Sequence, residues 1–265
     1  MQENKQVTAS GEVIDKKPTY PTEFINLPSK GKVYPKSSPL SSGKVEMKYV
    51  TAKEEDILTN VNYIRQGIVI DKFLQSVIVS PIDYNDLTIG DKNALLIASR
   101  ILGYGKDYSV DFQCKACGEM SEGKIDLTTI DEKPLKEDLF NNINSFEYVL
   151  PLSKVKLNFK VLTHADEQLI DQELKGLKKV NPNGSYDITT RLKYTITAIN
   201  GNGESGVIRN FIDNEFLARD SKAFREYVNS ISPDIELKSE VVCRHCGEVQ
   251  DIEVPITQEF FWPRA

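Results

Sequence analysis

The chain has 265 residues, of which 40% are hydrophobic and 27% charged, and its formal net charge is −6. This composition is typical of a soluble globular protein that can bury a substantial core. It offers no run of about 18 apolar residues, so we expect no membrane contact, and its scattered basic residues argue against duplex nucleic acid as the main partner. The polar opening MQENKQVTASGEVIDKK lacks the apolar core of a signal peptide, so we expect the protein to be made in a cytoplasm and not secreted.

Residues 1–44 have no helical periodicity. Residues 1–20 are polar, which predicts a disordered N-terminal arm. Between Pro21 and Gly43 lie four prolines, two glycines and five serines. This composition favours a turn-rich, extended segment over a helix. We interpret residues 21–44 as a segment that wraps a neighbouring protein.

A strand followed by two helices is predicted next. Apolar residues alternate over 44–50, which indicates a half-buried strand. Thr51 and Glu54 form a capping-box pattern that predicts a helix through about Arg65. Residues 68–79 carry apolar side chains at helical spacing.

The first cysteine motif lies between two predicted strands. Asp91 is expected to cap a helix that ends near Gly103. Alternating residues at 108–112 lead into the motif, and 124–127 lead out of it. This order predicts a zinc-ribbon hairpin.

The later part of the chain repeats this order with variations. Its predicted elements are two strands over 149–162, a helix from Thr163 and Asp166 to about Lys178, helices over 207–217 and 221–231, and a strand over 236–242. Residues 188–199 fit both a strand and a helix, and their spacing favours a helix.

All four cysteines fall in two copies of one motif, CKACGE at 114–119 and CRHCGE at 243–248. A Cys-x-x-Cys turn supplies two thiolates, and two such turns complete a tetrahedral zinc shell with no position left for water. Free thiols, or a cluster or redox role, are the alternatives. We predict one structural zinc per chain, bound by Cys114, Cys117, Cys243 and Cys246.

The similarity of the two motifs extends beyond the cysteines. The shift along the chain that places Cys114 on Cys243 also aligns Asp91 with Asp220, Ala94 with Ala223, Leu95 with Phe224, Ile125 with Val254, and Leu127 with Ile256. Upstream, TAKEEDIL at 51–58 matches THADEQLI at 163–170 at a smaller shift, so the later copy has an insertion between this match and its ribbon. We predict an α+β fold of two duplicated halves, 45–130 and 131–257, each made of a strand, helices and a zinc-knuckle hairpin. The halves would share the zinc near a pseudo-two-fold axis.

No catalytic constellation is evident. The two histidines, His164 and His245, have no convincing nucleophile nearby, and there is no phosphate-binding glycine loop. His164 is expected at the surface, and His245 is expected to point away from the knuckle, a weaker candidate for a metal ligand. Carboxylates such as Glu54 and Asp166 serve helix capping. We therefore expect no enzymatic activity and no small-molecule substrate.

The C-terminal tail, 258–265, contains the aromatic residues Phe260, Phe261 and Trp262. These side chains either pack back on the ribbon or fill a partner's pocket, since aromatic residues are frequent anchors of interfaces. We assign them as candidate partner-binding residues.

Several motifs together resemble a known family. They are NLPSKGKVYPKSSPLSSGKVEMKYVTAKEEDIL, GDKNALLIASRILGYG, CKACGE, CRHCGE and EFFWP, and the likeness extends from Glu23 to Pro263. The chain resembles the baseplate hub proteins of contractile-tailed bacteriophages, a family that also includes hub assembly proteins. The resemblance implies a virion tail component, or a protein that acts while the hub is built, with other baseplate and hub proteins as partners and no catalytic residues. Some members lack the cysteines, which implies that zinc is a local device for holding the halves together.

A second interpretation is a zinc-ribbon module that binds nucleic acid. It would require basic residues clustered around the knuckles, and only Lys115, Lys124, Lys238 and Arg244 are available. A hydrolase is the third and weakest interpretation.

Overall fold

The computed structural model describes residues 20–256 and 258–261, and it has a mixed α+β fold. The strands are β1 (Thr22–Asn26), β2 (Lys44–Lys48), β3 (Asp107–Gln113), β4 (Met120–Asp126), β5 (Phe146–Val149), β6 (Lys156–Phe159), β7 (Ile196–Ile199), β8 (Lys238–Val242) and β9 (Val249–Glu253). The α-helices are α1 (Ala52–Leu58), α2 (Val61–Gln66), α3 (Val69–Val77), α4 (Ile89–Tyr104), α5 (His164–Val180), α6 (Asp187–Thr195), α7 (Ser205–Asn210) and α8 (Ala218–Ile231). Among the described helices, none is long and apolar enough to cross a membrane.

The strands form four small antiparallel sheets. Three are hairpins, β1–β2, β3–β4 and β8–β9, and the fourth is the three-stranded sheet β5–β6–β7. A two-stranded sheet is at best marginally stable alone, and a three-stranded sheet needs a packed apolar face. Packing against helices and against other sheets is therefore what stabilises them.

The interpretation of residues 21–44 as a segment that wraps a neighbour is corrected by the structure. Strand β1 pairs with β2, and the loop between them packs against the chain's own cores. Leu27 and Leu40 enter the first core, whereas Val33 enters the second. The apolar residues scattered among the prolines and glycines are thus core contacts within the chain. Residues 1–19 of the predicted arm lie outside the described part of the chain.

The helix predicted from Thr51 to about Arg65 is two helices. The capping box of Thr51 and Glu54 begins α1, as predicted. Asn60 then begins α2, because its side chain accepts hydrogen bonds from the N–H groups of Asn62 and Tyr63. A cap of this kind stops one helix and starts another without any change in apolar periodicity.

Both interpretations of residues 188–199 are partly correct. Helix α6 ends at Thr195, and Ile196–Ile199 continue directly as β7. Strand β7 pairs with β6. The β-branched residues of β7 form a strand because a partner strand lies beside them.

Asp91 lies in the first turn of its helix and is not the N-cap. Thr88 caps α4, with a side chain that accepts from the Asp91 N–H, and Asp91 therefore occupies the third helical position. Asp220 occupies the third position of α8. Both carboxylates are fully buried.

Each buried carboxylate accepts hydrogen bonds from a loop that follows a strand of its own part of the chain. Asp91 accepts from the Ser29 N–H at 2.9 Å and from the Tyr34 hydroxyl. Asp220 accepts from the N–H groups of Leu152 and Ser153 at 2.8 and 2.9 Å. These contacts fix the loop after β1 to α4 and the loop after β5 to α8.

The apolar residues form two cores. The first contains α1, α3, α4 and both ribbon hairpins, and it includes Cys114 and Cys243. The second is built by β5–β7, α6 and α8 around Phe159 and Phe224, whose rings meet edge to face at 5.2 Å. The cysteine-bearing hairpins therefore belong to the same core as the first set of helices.

Phe260 and Phe261 lie inside the first core. Both are fully buried, and their rings pack at 5.0 Å from Tyr108 and Phe73 respectively. Of the two interpretations of the tail, the structure agrees with packing on the chain's own fold, because a partner could reach these two rings only after the tail unpacked. Trp262 lies outside the described residues.

A buried arginine holds this tail. Arg100 donates from Nε to the Phe260 carbonyl at 2.9 Å, and its other nitrogens donate to the carbonyls of Gly105 and Asp107 at 3.0 and 3.3 Å. The guanidinium also lies over the Tyr104 ring. Burial lowers the pKa of Arg100 below its usual value, and each of its three nitrogens has a carbonyl acceptor.

We expect Arg100→Lys to loosen the tail, because a lysine ammonium cannot reach the three carbonyls as the planar guanidinium does. The free energy of unfolding should fall by about 2 kcal/mol. Hydrogen exchange at residues 258–261 would measure the loosening. Exposed Arg65→Lys is the matched control, and equal exchange in the two variants would contradict this role.

Candidate metal centre

Each cysteine motif forms the turn of a ribbon hairpin, and the two turns have the same geometry. In the first, the Cys114 N–H donates to the Glu119 carbonyl at 3.0 Å; in the second, Cys243 donates to Glu248 at 2.8 Å. Gly118 and Gly247 have φ angles of 77° and 76°. This left-handed conformation favours glycine, and it lets each chain turn back under its cysteines.

The four sulfur atoms converge on one point. All of them lie within 4.8 Å of one another. Cys114 Sγ is 3.6 Å from Cys246 Sγ, and Cys117 Sγ is 3.8 Å from Cys243 Sγ. A tetrahedron with zinc–sulfur bonds of about 2.3 Å has edges of about 3.8 Å, whereas a disulfide measures about 2.05 Å. The cluster could therefore hold one metal ion.

The contacts between the hairpins are reciprocal. The Lys115 N–H donates to Gln250 Oε1 at 2.9 Å, and the Arg244 N–H donates to Ser121 Oγ at 2.9 Å. In the alignment of the two cysteine motifs, Lys115 is equivalent to Arg244, and Ser121 to Gln250, so the two hydrogen bonds are equivalent contacts. In the same alignment the pair Cys114–Cys246 is equivalent to the pair Cys243–Cys117. These contacts between the ribbons are the kind that the predicted pseudo-two-fold arrangement requires. Ser121 and Gln250 were not predicted as site residues, because serine and glutamine do not look alike in a sequence comparison.

A glycine sets the distance between the ribbons. A Cβ at Gly123 of β4 would lie 2.7 Å from Val241 Cγ1 of β8. Val241 and Phe112 are buried there in the first core. A larger residue at position 123 would separate the ribbons and pull the two cysteine pairs apart.

The environment of the four thiols favours the thiolate form of Cys243. N–H groups of Cys246 and His245 lower the pKa of the Cys243 thiol to about 6. The Glu248 N–H lowers the pKa of Cys246, but desolvation and the hydrogen bonds with the other three thiols outweigh it and raise that pKa to about 12. A metal ion must therefore displace protons from this cluster, as thiolate binding requires.

His245 does not belong to the cluster. Its Nε2 is 3.1 Å from the Met120 carbonyl oxygen, and its backbone N–H donates to Cys243 Sγ at 3.4 Å. The only group of potential metal ligands among the described residues is the four cysteines.

His164 is buried, which corrects the expectation of a surface residue. Its side chain is 3% exposed and packs edge to face on Tyr84 at 4.6 Å. Its Nδ1 lies 3.2 Å from Lys92 Nζ, and Lys92 Nζ lies 2.6 Å from Asp71 Oδ1. The first turn of α5 packs against α3 and α4, and this tertiary contact encloses the ring.

We expect His164 to make stability depend on pH. Burial, followed by the nearby Lys92, lowers the pKa of His164 from 6.5, and Asp71 and Glu167 only partly oppose this. The unfolded chain therefore takes up a proton before the folded protein does, so the free energy of unfolding should fall as the pH drops below about 6.5. When the pH falls from 8 to 5, the urea midpoint of the parent should decrease more than the urea midpoint of His164→Gln. A difference independent of pH would contradict this.

Comparison with known proteins identifies the family. A sequence model of the family described as T4 bacteriophage base plate protein matches residues 17–262. The chain belongs to this family. Neither a curated protein nor a solved structure matches it. Family membership makes it a structural protein of the phage tail baseplate that associates with other tail proteins.

Proposed function

We propose that the protein is a non-catalytic structural or assembly component of the baseplate hub, in which one zinc ion fastens two duplicated halves. The observation that carries this proposal is the meeting of four thiols, two from each ribbon, within 4.8 Å of one another, with the two short cross-ribbon pairs at 3.6 and 3.8 Å, close to the edge of a zinc tetrahedron. Zinc supplies a closed, redox-inert thiolate shell at such a site. Cys114 and Cys117 would bind from the first ribbon, and Cys243 and Cys246 from the second.

Duplication of the halves is supported by parallel local structures. In the first half Lys48 Nζ lies 2.7 Å from Glu54 at the third position of α1; in the second, Lys160 Nζ lies 2.6 Å from Asp166 at the third position of α5. Both helices begin with a capping box. We propose that the halves meet near residue 130, as the sequence suggested, and that the first half begins at β1.

The loops after β1 and β5 supply a further parallel. Their sequences are LPSK and LPLSK, and Lys30 and Lys154 both have positive φ, at 48° and 60°. The loop after β1 donates one backbone N–H, and the loop after β5 donates two, to the buried aspartate at the third position of the helix that precedes each ribbon. Two segments without a common ancestor would not be expected to share a similar loop sequence, the same positive-φ lysine and the same buried aspartate.

The hub assignment rests on the order of motifs from Glu23 to Pro263. The non-catalytic assignment rests on the surroundings of the histidines. His164 is enclosed by Asp71, Tyr84 and Lys92, so it has no access to a substrate. For the nucleic-acid alternative, Arg244 already pairs with Glu122 at 2.8 Å, which reduces the positive charge near the second knuckle.

Mass spectrometry of purified virions, combined with deletion of the gene, tests the role in the hub. A resident hub protein should be found at a fixed stoichiometry, and an assembly protein should be absent although the deletion blocks hub formation. Deletion mutants that assemble complete hubs, or a protein found only in the outer baseplate, would contradict the proposal.

A further inference from the structure

The outer edge of β1 is free to pair with another strand. In the two-stranded sheet β1–β2, the far edge of β2 is covered, because Glu46 accepts from the Val79 N–H at 2.8 Å and donates its own N–H to Ser80 Oγ at 2.7 Å. No strand covers the corresponding edge of β1 among the residues that the structure describes. Such an edge is a template for strand addition.

The register of the hairpin identifies the free groups. The Leu27 N–H donates to the Gly43 carbonyl, and the Tyr49 N–H donates to the Pro21 carbonyl. Hydrogen-bonded pairs alternate along an antiparallel ladder, so odd-numbered residues of β1 face β2. The backbone N–H and C=O groups of Thr22, Phe24 and Asn26 face outward, and they have no hydrogen-bond partner within the described residues.

The central residue of this edge is an exposed aromatic. Phe24 is 67% exposed. In β5, which is followed by a similar LP-containing loop, Glu147 occupies an outward-facing position and pairs with Lys156 at 2.8 Å. A charge at such a position protects an edge strand from unwanted pairing. The corresponding edge of β1 has Phe24 at its centre and no charged residue at its outward positions.

We propose that β1 pairs antiparallel with β1 of a second copy of this chain, on a two-fold axis at Phe24. This register matches Phe24 with the partner's Phe24 and Thr22 with the partner's Asn26. It uses every outward backbone group of the strand. Pro28, at the next outward position, has no N–H and ends the pairing.

The side chains are compatible with this symmetric pairing. Glu23 faces the partner's Ile25, so no two charges of like sign stand directly opposite each other, and the two Phe24 rings form an aromatic cross-strand pair. The result is a four-stranded sheet that continues from one copy to the other. A five-residue strand buries little surface, so we expect a weak dimer in solution.

Cysteine cross-linking under mild oxidation with oxidised glutathione tests the register in the full-length, zinc-loaded protein. Cα atoms of a hydrogen-bonded antiparallel pair lie about 5.5 Å apart, within the range of a disulfide. Phe24→Cys should therefore link to itself, whereas Thr22→Cys and Asn26→Cys should link only when mixed with each other. The parent protein, treated in the same way, controls for the four native cysteines.

Sedimentation gives an independent measurement of the same contact. Phe24→Glu and Phe24→Lys should each weaken self-association at least about tenfold, and an equimolar mixture should restore it, because only a residue paired with its own copy shows this charge complementation. Val61→Glu, which alters another exposed apolar residue, is the control. A monomeric parent with no Phe24→Cys cross-link at its highest soluble concentration would overturn the proposal, and cross-links that appear only after deletion of residues 1–19 would assign the edge to that segment instead.

Discussion

If one zinc ion binds the four cysteines as proposed, Cys243→Ser is expected to remove it and to separate the two ribbons. Structural zinc contributes on the order of 10 kcal/mol to folding in small zinc domains. Here the ribbons also share hydrogen bonds and the first core, so part of the structure should survive. We expect the first thermal transition to fall by at least about 10 °C. Metal analysis of the parent should give one zinc per chain.

His245→Ala is the matched control for this variant, since His245 lies in the same knuckle without a thiol ligand role. It should keep the zinc and melt close to the parent. Hydrogen exchange should rise in β3, β4, β8 and β9 of Cys243→Ser, whereas the second core, which contains no cysteine, should keep its protection. A parent with two zinc ions or none, or a Cys243→Ser variant that melts like the parent, would rule out a shared structural zinc.

Local patterns in the sequence predicted much of this site. The spacing within each cysteine motif and the following glycine are local features, and both glycines adopt the left-handed conformation in the structure. The capping box at Thr51 and the helix cap at Thr163 with Asp166 were also predicted correctly, because a cap depends on residues only three positions apart.

Tertiary contacts account for most of the errors. His164 was expected at the surface because it lies in the first turn of a helix, and it is buried because α3 and α4 pack against that turn. Phe260 was considered for an interface, but Arg100, which lies far earlier in the chain, holds its carbonyl. No local pattern encodes either contact.

The parallel between the loops after β1 and β5 was missed for a different reason. The loop after β1 continues to Gly43, whereas the loop after β5 ends at Val155. Because the loops differ in length, the shift along the chain that superposes the two ribbons does not superpose the two loops. The alignment that superposes the two cysteine motifs therefore recognised the helices and ribbons but not LPSK and LPLSK. The buried aspartates were recognised as equivalent, although their partners could be identified only from the structure.

Asp91→Ala is expected to destabilise the first core more than any conservative change at this site. The substitution leaves the buried Ser29 N–H without its acceptor and the Tyr34 hydroxyl with only the longer contact of 3.4 Å to Thr88 Oγ1. An unsatisfied buried group costs about 1–3 kcal/mol, so the loss of two partners and the small cavity should lower the free energy of unfolding by about 3–5 kcal/mol. Urea denaturation followed by circular dichroism would measure this loss.

Asp91→Asn and Tyr34→Phe separate the two contacts. The asparagine oxygen can still accept from the Ser29 N–H while its amide faces the Tyr34 hydroxyl, so Asp91→Asn should be milder than Asp91→Ala, and Tyr34→Phe should remove one bond only. Asp220→Ala should destabilise the second core in the same manner, because the Leu152 and Ser153 N–H groups lose their acceptor. If the halves are duplicates fastened by zinc, Asp220→Ala keeps one zinc per chain while protection of the second core falls. Loss of the metal from Asp220→Ala, or an Asp91→Ala variant as stable as Asp91→Asn, would contradict this account of the two buried aspartates.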